Sequence, residues 1–321
     1  MSSHPSIASD QTLLVFVVKE FAMAAIIPVD DYISAIDHDL FTMPGVGVSY
    51  VVRGDADRVA IVDTGTSLTA EATLAGLQEL GIPREAVCAI ICTHVHMDHA
   101  GGSTLLVDAL PNASIYIHSA TAPLLVQPER LMSSTKFFSG ETLWPWQGTI
   151  KPVSPESLRP AEDLQLDLGR GIVLQAIPTP GHAADHVCFW IEQTGTLLSG
   201  DTCGIALPHY NVGLRPVTPP PGFDLVAQRA SYDRLAQLPI AQILPTHCGP
   251  GGHDATSLQK QRQYLENVIE AVQTALQTDQ YDEAALAAKF YPADSHPVLS
   301  IWGEMAIAGV ARYLRKQQAN S

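Results

Sequence analysis

Ala89-Ile90-Ile91-Cys92-Thr93-His94-Val95-His96-Met97-Asp98-His99-Ala100-Gly101-Gly102 joins an apolar run to a dense set of donor side chains. Val87 to Ile91 is short, partly β-branched and bounded by turn residues, the pattern of a buried strand. At an extended strand end, residues two apart point the same way, so His94 and His96 can close on one cation. Asp98 and His99, one turn further on, face a second. Gly101-Gly102 lets the chain pass close beneath and start a helix. Surface histidines do cluster by chance, but imidazoles and a carboxylate placed directly after a buried strand are read here as metal donors.

The chain has 321 residues, 46% hydrophobic and 16% charged, which fits a compact globular protein and argues against disorder. Its formal charge of −15 repels phosphate backbones, so extended nucleic-acid binding is not expected. The cysteines (Cys88, Cys92, Cys188, Cys203, Cys248) contain no Cys-x-x-Cys pair and no disulfide-like framework, which suggests a reducing compartment. Apolar runs at Leu13 to Val18 and Phe21 to Ile27 are split by Lys19-Glu20 and fall short of membrane-spanning length. No membrane association is expected, cytoplasm is the default location, and Met23 is an alternative start.

In chain order, residues 1 to about 30 read as an extension of uncertain structure. Val48 to Arg53 and Val59 to Val62 read as a hairpin ending at Asp63, which is either a turn cap or an acceptor holding a metal-bound histidine from behind. Ser67 or Thr69 should cap a helix reaching about Leu80. After the donor block come a helix (103–110) and a strand (114–117), with His118 at the rim. Residues 119–160 break the strand–helix rhythm, and Phe137, Phe138, Trp144 and Trp146 make this insert either an apolar lid over the metals or a segment anchored to the core. Strands over 172–177, 186–191, 196–199 and 240–244 each end near a further donor: His182, Asp201 and His247. Residues 208–222 read as a proline-rich loop, from which His209 and Tyr210 could reach the pocket. The remainder, 253–321, is helical. Near its end Val298, Ile301, Trp302 and Met305 form one stripe, with Ile307, Val310 and Leu314 on another face. Packing on the body of the protein is one reading for either face, and a homodimer seam is the other.

Thr-His-x-His-x-Asp-His, then Thr-Pro-Gly-His, Ser-Gly-Asp-Thr and Pro-Thr-His, spread over roughly residues 32 to 250, resemble the metallo-β-lactamase superfamily in its glyoxalase II-like hydrolase branch. The resemblance implies an α/β fold, an αββα sandwich with the metals at one edge, here followed by a helical C-terminal extension. The chain is accordingly divided into an extension at 1–30, a catalytic domain at 31–252 that carries the 119–160 insert, and a helical region at 253–321. The resemblance also implies that His94, His96 and His182 hold one metal, that Asp98, His99 and His247 hold the other, and that Asp201 bridges. Two divalent ions are expected, zinc first, with iron or manganese as alternatives. The β-lactamases of the family commonly carry a cysteine ligand where Asp201 stands, so the chain looks more like the dinuclear hydrolases. The width between His99 and His182, the Asp185-His186-Val187 segment and the helical tail resemble the layout of the family's quinolone-signal thioesterase. Glyoxalase II binds glutathione with tail residues that have no match here.

The expected activity is metal-dependent hydrolysis of a small ester-like substrate by a hydroxide between the two ions, with thioesters preferred and lactones next. Asp98 and Asp201 would serve the chemistry as well as the metals, and Tyr210 would donate a hydrogen bond to an oxyanion. Phosphodiester or phosphotriester hydrolysis at the same site is the alternative within catalysis. A regulator that keeps the fold and binds a ligand without turnover is the alternative outside it.

Overall fold

A computed structural model describes residues 25–247, 249, 253–292 and 297–320. The start of the N-terminal apolar region through Ala24, with Met23, and likewise Cys248 and His296, lie outside the described residues.

The first sheet runs in spatial order β1 (Ala25–Pro28), β2 (Ile33–Asp37), β3 (Val48–Arg53), β4 (Val59–Val62), β5 (Val87–Ile91), β6 (Ser114–Ile117) and β7 (Leu158–Pro160). Pairing is antiparallel from β1 to β4 and parallel from β4 to β7. Short turns suffice on the antiparallel side. The parallel side needs crossovers, supplied by α1 (Ala70–Glu79), α2 (Met97–Ala100), α3 (Ser103–Ala109), α4 (Pro123–Val126) and α5 (Glu129–Gln147).

The second half contributes β8 (Gln165–Asp167), β9 (Val173–Pro178), β10 (Val187–Ile191), β11 (Thr196–Gly200), the ribbon β12 (Ile205–Leu207) with β13 (Val212–Arg215), and β14 (Gln242–Pro245). Its sheet has the order β14-β11-β10-β9-β8, with β14 parallel to β11. Four helices complete the chain: α6 (Leu225–Leu235), α7 (Ala255–Gln277), α8 (Glu283–Phe290) and α9 (Pro297–Ala319).

Central strands such as β4 and β10 are apolar on both faces because both faces are covered. In β10, Val187, Phe189 and Ile191 enter the core between the sheets, while Cys188 and Trp190 enter the core under α6 to α9. In β4, Ala60 and Val62 face the second sheet, and Val59 and Ile61 face the helices of the first half. This period of two, repeated on both sheets, produces helix, sheet, sheet and helix layers, the expected αββα sandwich. At one edge the halves are stitched by backbone: Val187 N–H donates to Thr93 O (2.8 Å), and Val48 N–H to Thr246 O (3.1 Å). The Tyr50 hydroxyl donates to Pro245 O at 2.8 Å.

Several expectations need correction. Residues 25–28, assigned to the extension, form an edge strand paired with β2. The 119–160 segment is largely helical, and its last three residues join the first sheet as β7. Residues 212–215, assigned to a loop, are a strand of the β12–β13 ribbon. Thr69 precedes α1, but its hydroxyl donates to Thr66 O instead of capping the helix. For α9 no correction is needed, because the packing reading, one of the two alternatives, describes both faces: Trp302 and Met305 lie beside Leu40 and Phe41, and Ile307 and Val310 beside α7.

Candidate metal centre

Every donor follows the C-terminal end of a strand. After β5 the chain bends through Thr93 to Val95, and His96 begins α2, which carries Asp98 and His99. His182 follows β9, Asp201 follows β11 and His247 follows β14. The glycines after α2 matter through crowding rather than unusual dihedrals. A β-carbon on Gly102 would lie 2.5 Å from Thr64 O, and one on Gly101 would lie 3.1 Å from Thr66 Cα.

The predicted donors come together. His94 Nε2 lies 2.8 Å from His96 Nδ1, and His182 Nε2 lies 3.2 Å and 3.0 Å from those two atoms. His99 Nε2 and His247 Nε2 are 3.2 Å apart, and Asp98 Oδ2 is 3.4 Å from His247 Nε2. Asp201 sits between the trios, Oδ1 3.4 Å from His99 and 3.6 Å from His247, Oδ2 3.5 Å from His182. The groups His94/His96/His182, His94/His99/Asp201 and Asp98/His99/His247 are each compact enough for one ion.

The outer ring atoms explain why the inner ones are lone pairs. The Nδ1–H of His182 donates to Val217 O (3.0 Å), that of His247 to Val46 O (2.9 Å), and that of His99 to Asp63 Oδ2 (2.8 Å). With one ring nitrogen protonated outward, a neutral imidazole presents an unprotonated nitrogen inward. Bare lone pairs about 3 Å apart repel one another, so a cation among them is the arrangement that satisfies the chemistry. Asp201 Oδ1 is buried with no hydrogen-bond partner among the described residues, a second orphan that an ion would satisfy. The residues present therefore fit two divalent ions.

Electrostatics agree. Burial, and then the neighbouring imidazoles, keep His94 well below its ordinary pKa, and burial lowers His182 to about 4, so both stay neutral and ligand-ready. Burial would raise the Asp98 and Asp201 carboxyls, but the surrounding histidines outweigh it and hold both below the usual carboxylate range. His99 and His247 depart from this pattern: burial opposes their charge, yet the carboxylates prevail and raise them, so each ring carries a second proton that a bound cation would displace.

Asp63 resolves in favour of the metal site. It is fully buried, in left-handed backbone (φ 56°), and accepts from His99 Nδ1–H, Thr93 N–H (2.8 Å), the Thr93 hydroxyl (3.0 Å) and the Thr246 hydroxyl. His186 is not a ligand. Its Nε2 accepts from Asp201 N–H at 3.1 Å, and its Nδ1 meets the hydroxyls of Thr179 and Thr202. Asp185 braces the donor block, accepting from Val95 N–H and the Thr121 hydroxyl at 2.9 Å each. Cys203 is buried in the core under α6 to α9.

One expectation fails here and another holds in part. Tyr210 does not line the cavity beside the donors, and its hydroxyl donates to Pro44 O at 3.1 Å, so it is not an oxyanion donor. Of the insert's aromatics only Phe138 lines that cavity. Phe137 is 79% exposed, Trp146 faces solvent in part, and Trp144 packs against the core. Sequence reasoning missed Gln147, buried in the cavity wall with Oε1 unpartnered, and Trp302, whose ring lies 5.1 Å from that of His247. The helical stripe on α9 was the available signal for Trp302. Gln147 carried none.

His38 sits behind this region, its Nε2 shared by the hydroxyls of Ser49 (2.8 Å) and Thr73 (3.1 Å). Burial lowers its pKa from 6.5 to about 4. Because the folded value is the lower one, the unfolded chain takes up this proton first as pH falls. Stability is then full above pH 6.5 and declines down to about pH 4, by about 1.4 kcal/mol per pH unit. Urea unfolding at pH 7 and pH 5 should show that His38→Gln removes about 2 kcal/mol of the acid sensitivity.

The family model described as the metallo-beta-lactamase superfamily matches residues 42–247, and the chain belongs to that superfamily. Among curated relatives, the probable metallo-hydrolase YybB of Bacillus subtilis (strain 168) is 29% identical over 147 residues, covering 46% of this chain and 58% of its own length. An atrochrysone carboxyl ACP thioesterase of Aspergillus fumigatus is 28% identical over 161 residues, 50% of this chain and 30% of the relative. The chain thus spans only part of each. Among solved structures, the superfamily protein ST1585 from Sulfolobus tokodaii aligns with a TM-score of 0.66 at 20% identity, over 89% of this chain and 98% of that one. That likeness concerns the fold alone.

Proposed function

We propose that this chain is a metal-dependent hydrolase of small ester-like substrates, with thioesters preferred and lactones next. The observation that carries the reading is Asp201, its buried oxygens facing imidazoles of both trios where they meet an apolar cavity. The name of the A. fumigatus relative supports the thioester preference.

His94, His96 and His182 would hold one ion, Asp98, His99 and His247 the other, with Asp201 between. Held there, two divalent ions would supply Lewis acidity for a carbonyl oxygen and for water, and zinc, iron or manganese would suit these donors. The chain's part is to fix the donors from behind, through Asp63, Val46 O and Val217 O, so that little reorganisation accompanies reaction. Asp98, its side chain 20% exposed at the cavity wall, is ionised, so it would take the proton released by the attacking water and pass it to the departing thiolate or alkoxide. Phe138, Leu143 and Trp302 keep bulk water from the substrate's acyl side.

The test is elemental analysis joined to assays of acyl-thioester, lactone and bis-p-nitrophenyl phosphate hydrolysis before and after chelation. Two metals per chain are expected, with thioester turnover lost on stripping and restored on reloading. Turnover unchanged in stripped protein would refute the reading, and phosphodiester turnover well above thioester turnover would replace it.

A further inference from the structure

The cavity beside the donors is walled by elements that have no part in holding metal. On one side α5 supplies Leu131, Phe138 and Leu143, and on the other α9 supplies Leu299, Trp302 and Met305. The cavity encloses about 1140 Å³ counting its open mouth. The other α5 side chains that reach it, Ser134, Thr135, Ser139 and Gln147, are uncharged.

Among the described residues, no lysine or arginine lines this cavity, and its only carboxylates are Asp98 and Asp201. An anionic group carried on the far end of a substrate would lose its hydration between apolar walls without gaining a countercharge. The net charge of −15 adds to that penalty at longer range. An apolar group gains affinity with every methylene it buries there.

We infer that α5 and α9 form a specificity pocket for an uncharged, apolar acyl group, and that substrates bearing a second anionic group on the acyl side are excluded. This rests on the hydrolase reading for its meaning but not for its test. Phe138 and Met305 are the specificity-determining residues on the two walls, both half-buried and both outside the donor set.

Isothermal titration of the purified protein with hexanamide, octanamide and decanamide should show affinity rising about three- to fourfold per methylene. The ω-carboxylated counterpart of octanamide, 8-amino-8-oxooctanoic acid, should bind at least about tenfold more weakly than octanamide. Phe138→Arg should reverse that order, placing the carboxylated amide above octanamide, and Met305→Lys tests the facing wall if Phe138→Arg does not fold. A flat chain-length series, a carboxylated amide that binds as well as its parent, or an unreversed order in a folded variant would overturn the inference. Because the probes are amides and the readout is binding, ester turnover with a flat series refutes this pocket alone. A graded series with no ester turnover refutes the hydrolase reading alone.

Discussion

Asp201→Asn is expected to lower kcat/KM for a thioester by on the order of 10³, about 4 kcal/mol of transition-state stabilisation, and to reduce bound metal from two ions toward one. The size of the effect follows from position. Asp201 is 4% exposed, its Oδ1 has no hydrogen-bond donor among the described residues, and its oxygens lie 3.4–3.6 Å from His99, His182 and His247. Asparagine keeps the volume but replaces a doubly accepting anion with one neutral oxygen and an NH₂ that points donors at lone pairs. Steady-state kinetics with metal analysis on the same sample is the check. Activity within tenfold of wild type with both metals retained would contradict the bridging role.

The second large effect is expected at Asp63, which touches no substrate. Asp63→Ala strands the His99 ring N–H, the Thr93 amide and hydroxyl, and the Thr246 hydroxyl, all buried. Removing one partner from such a buried charged network costs about 3–5 kcal/mol, and the loss of orientation at His99 should weaken metal binding about 10- to 100-fold. Asp63→Asn should be milder, since asparagine tolerates left-handed backbone and keeps one acceptor. Denaturant unfolding and competition with a metal-sensitive dye read the two effects separately. Wild-type metal affinity in Asp63→Ala would show that His99 is held by other means.

The candidate donors were legible in the sequence because each block of them comes shortly after an apolar run, and strand ends are where a sandwich gathers side chains. His94 through His99 announce themselves by spacing, while His182, Asp201 and His247 needed the motifs around them. Asp63 was ambiguous, because an aspartate at a strand end caps turns as readily as it braces a ligand. Only the distance to His99 separates the two. Short edge elements escaped for a physical reason: β7, β8 and β12 have three residues each, too few to show alternation. The helical character of 129–147 was masked by Gly140 and Pro145, which interrupt its pattern. Tyr210 was misread because a loop residue's reach cannot be derived from its neighbours in sequence.

Asp98 and His99 follow β5 of the first sheet, whereas His182, Asp201 and His247 follow strands of the second. An ion held at that edge is therefore a clasp fastened only when both halves of the sandwich have docked. By mass action it adds free energy to the assembled state and none to a chain whose halves have parted, about 2.7 kcal/mol when free metal is a hundredfold above Kd. Chelation should accordingly lower the melting temperature as well as silence the chemistry, and metal occupancy becomes a gauge of how often the halves come apart.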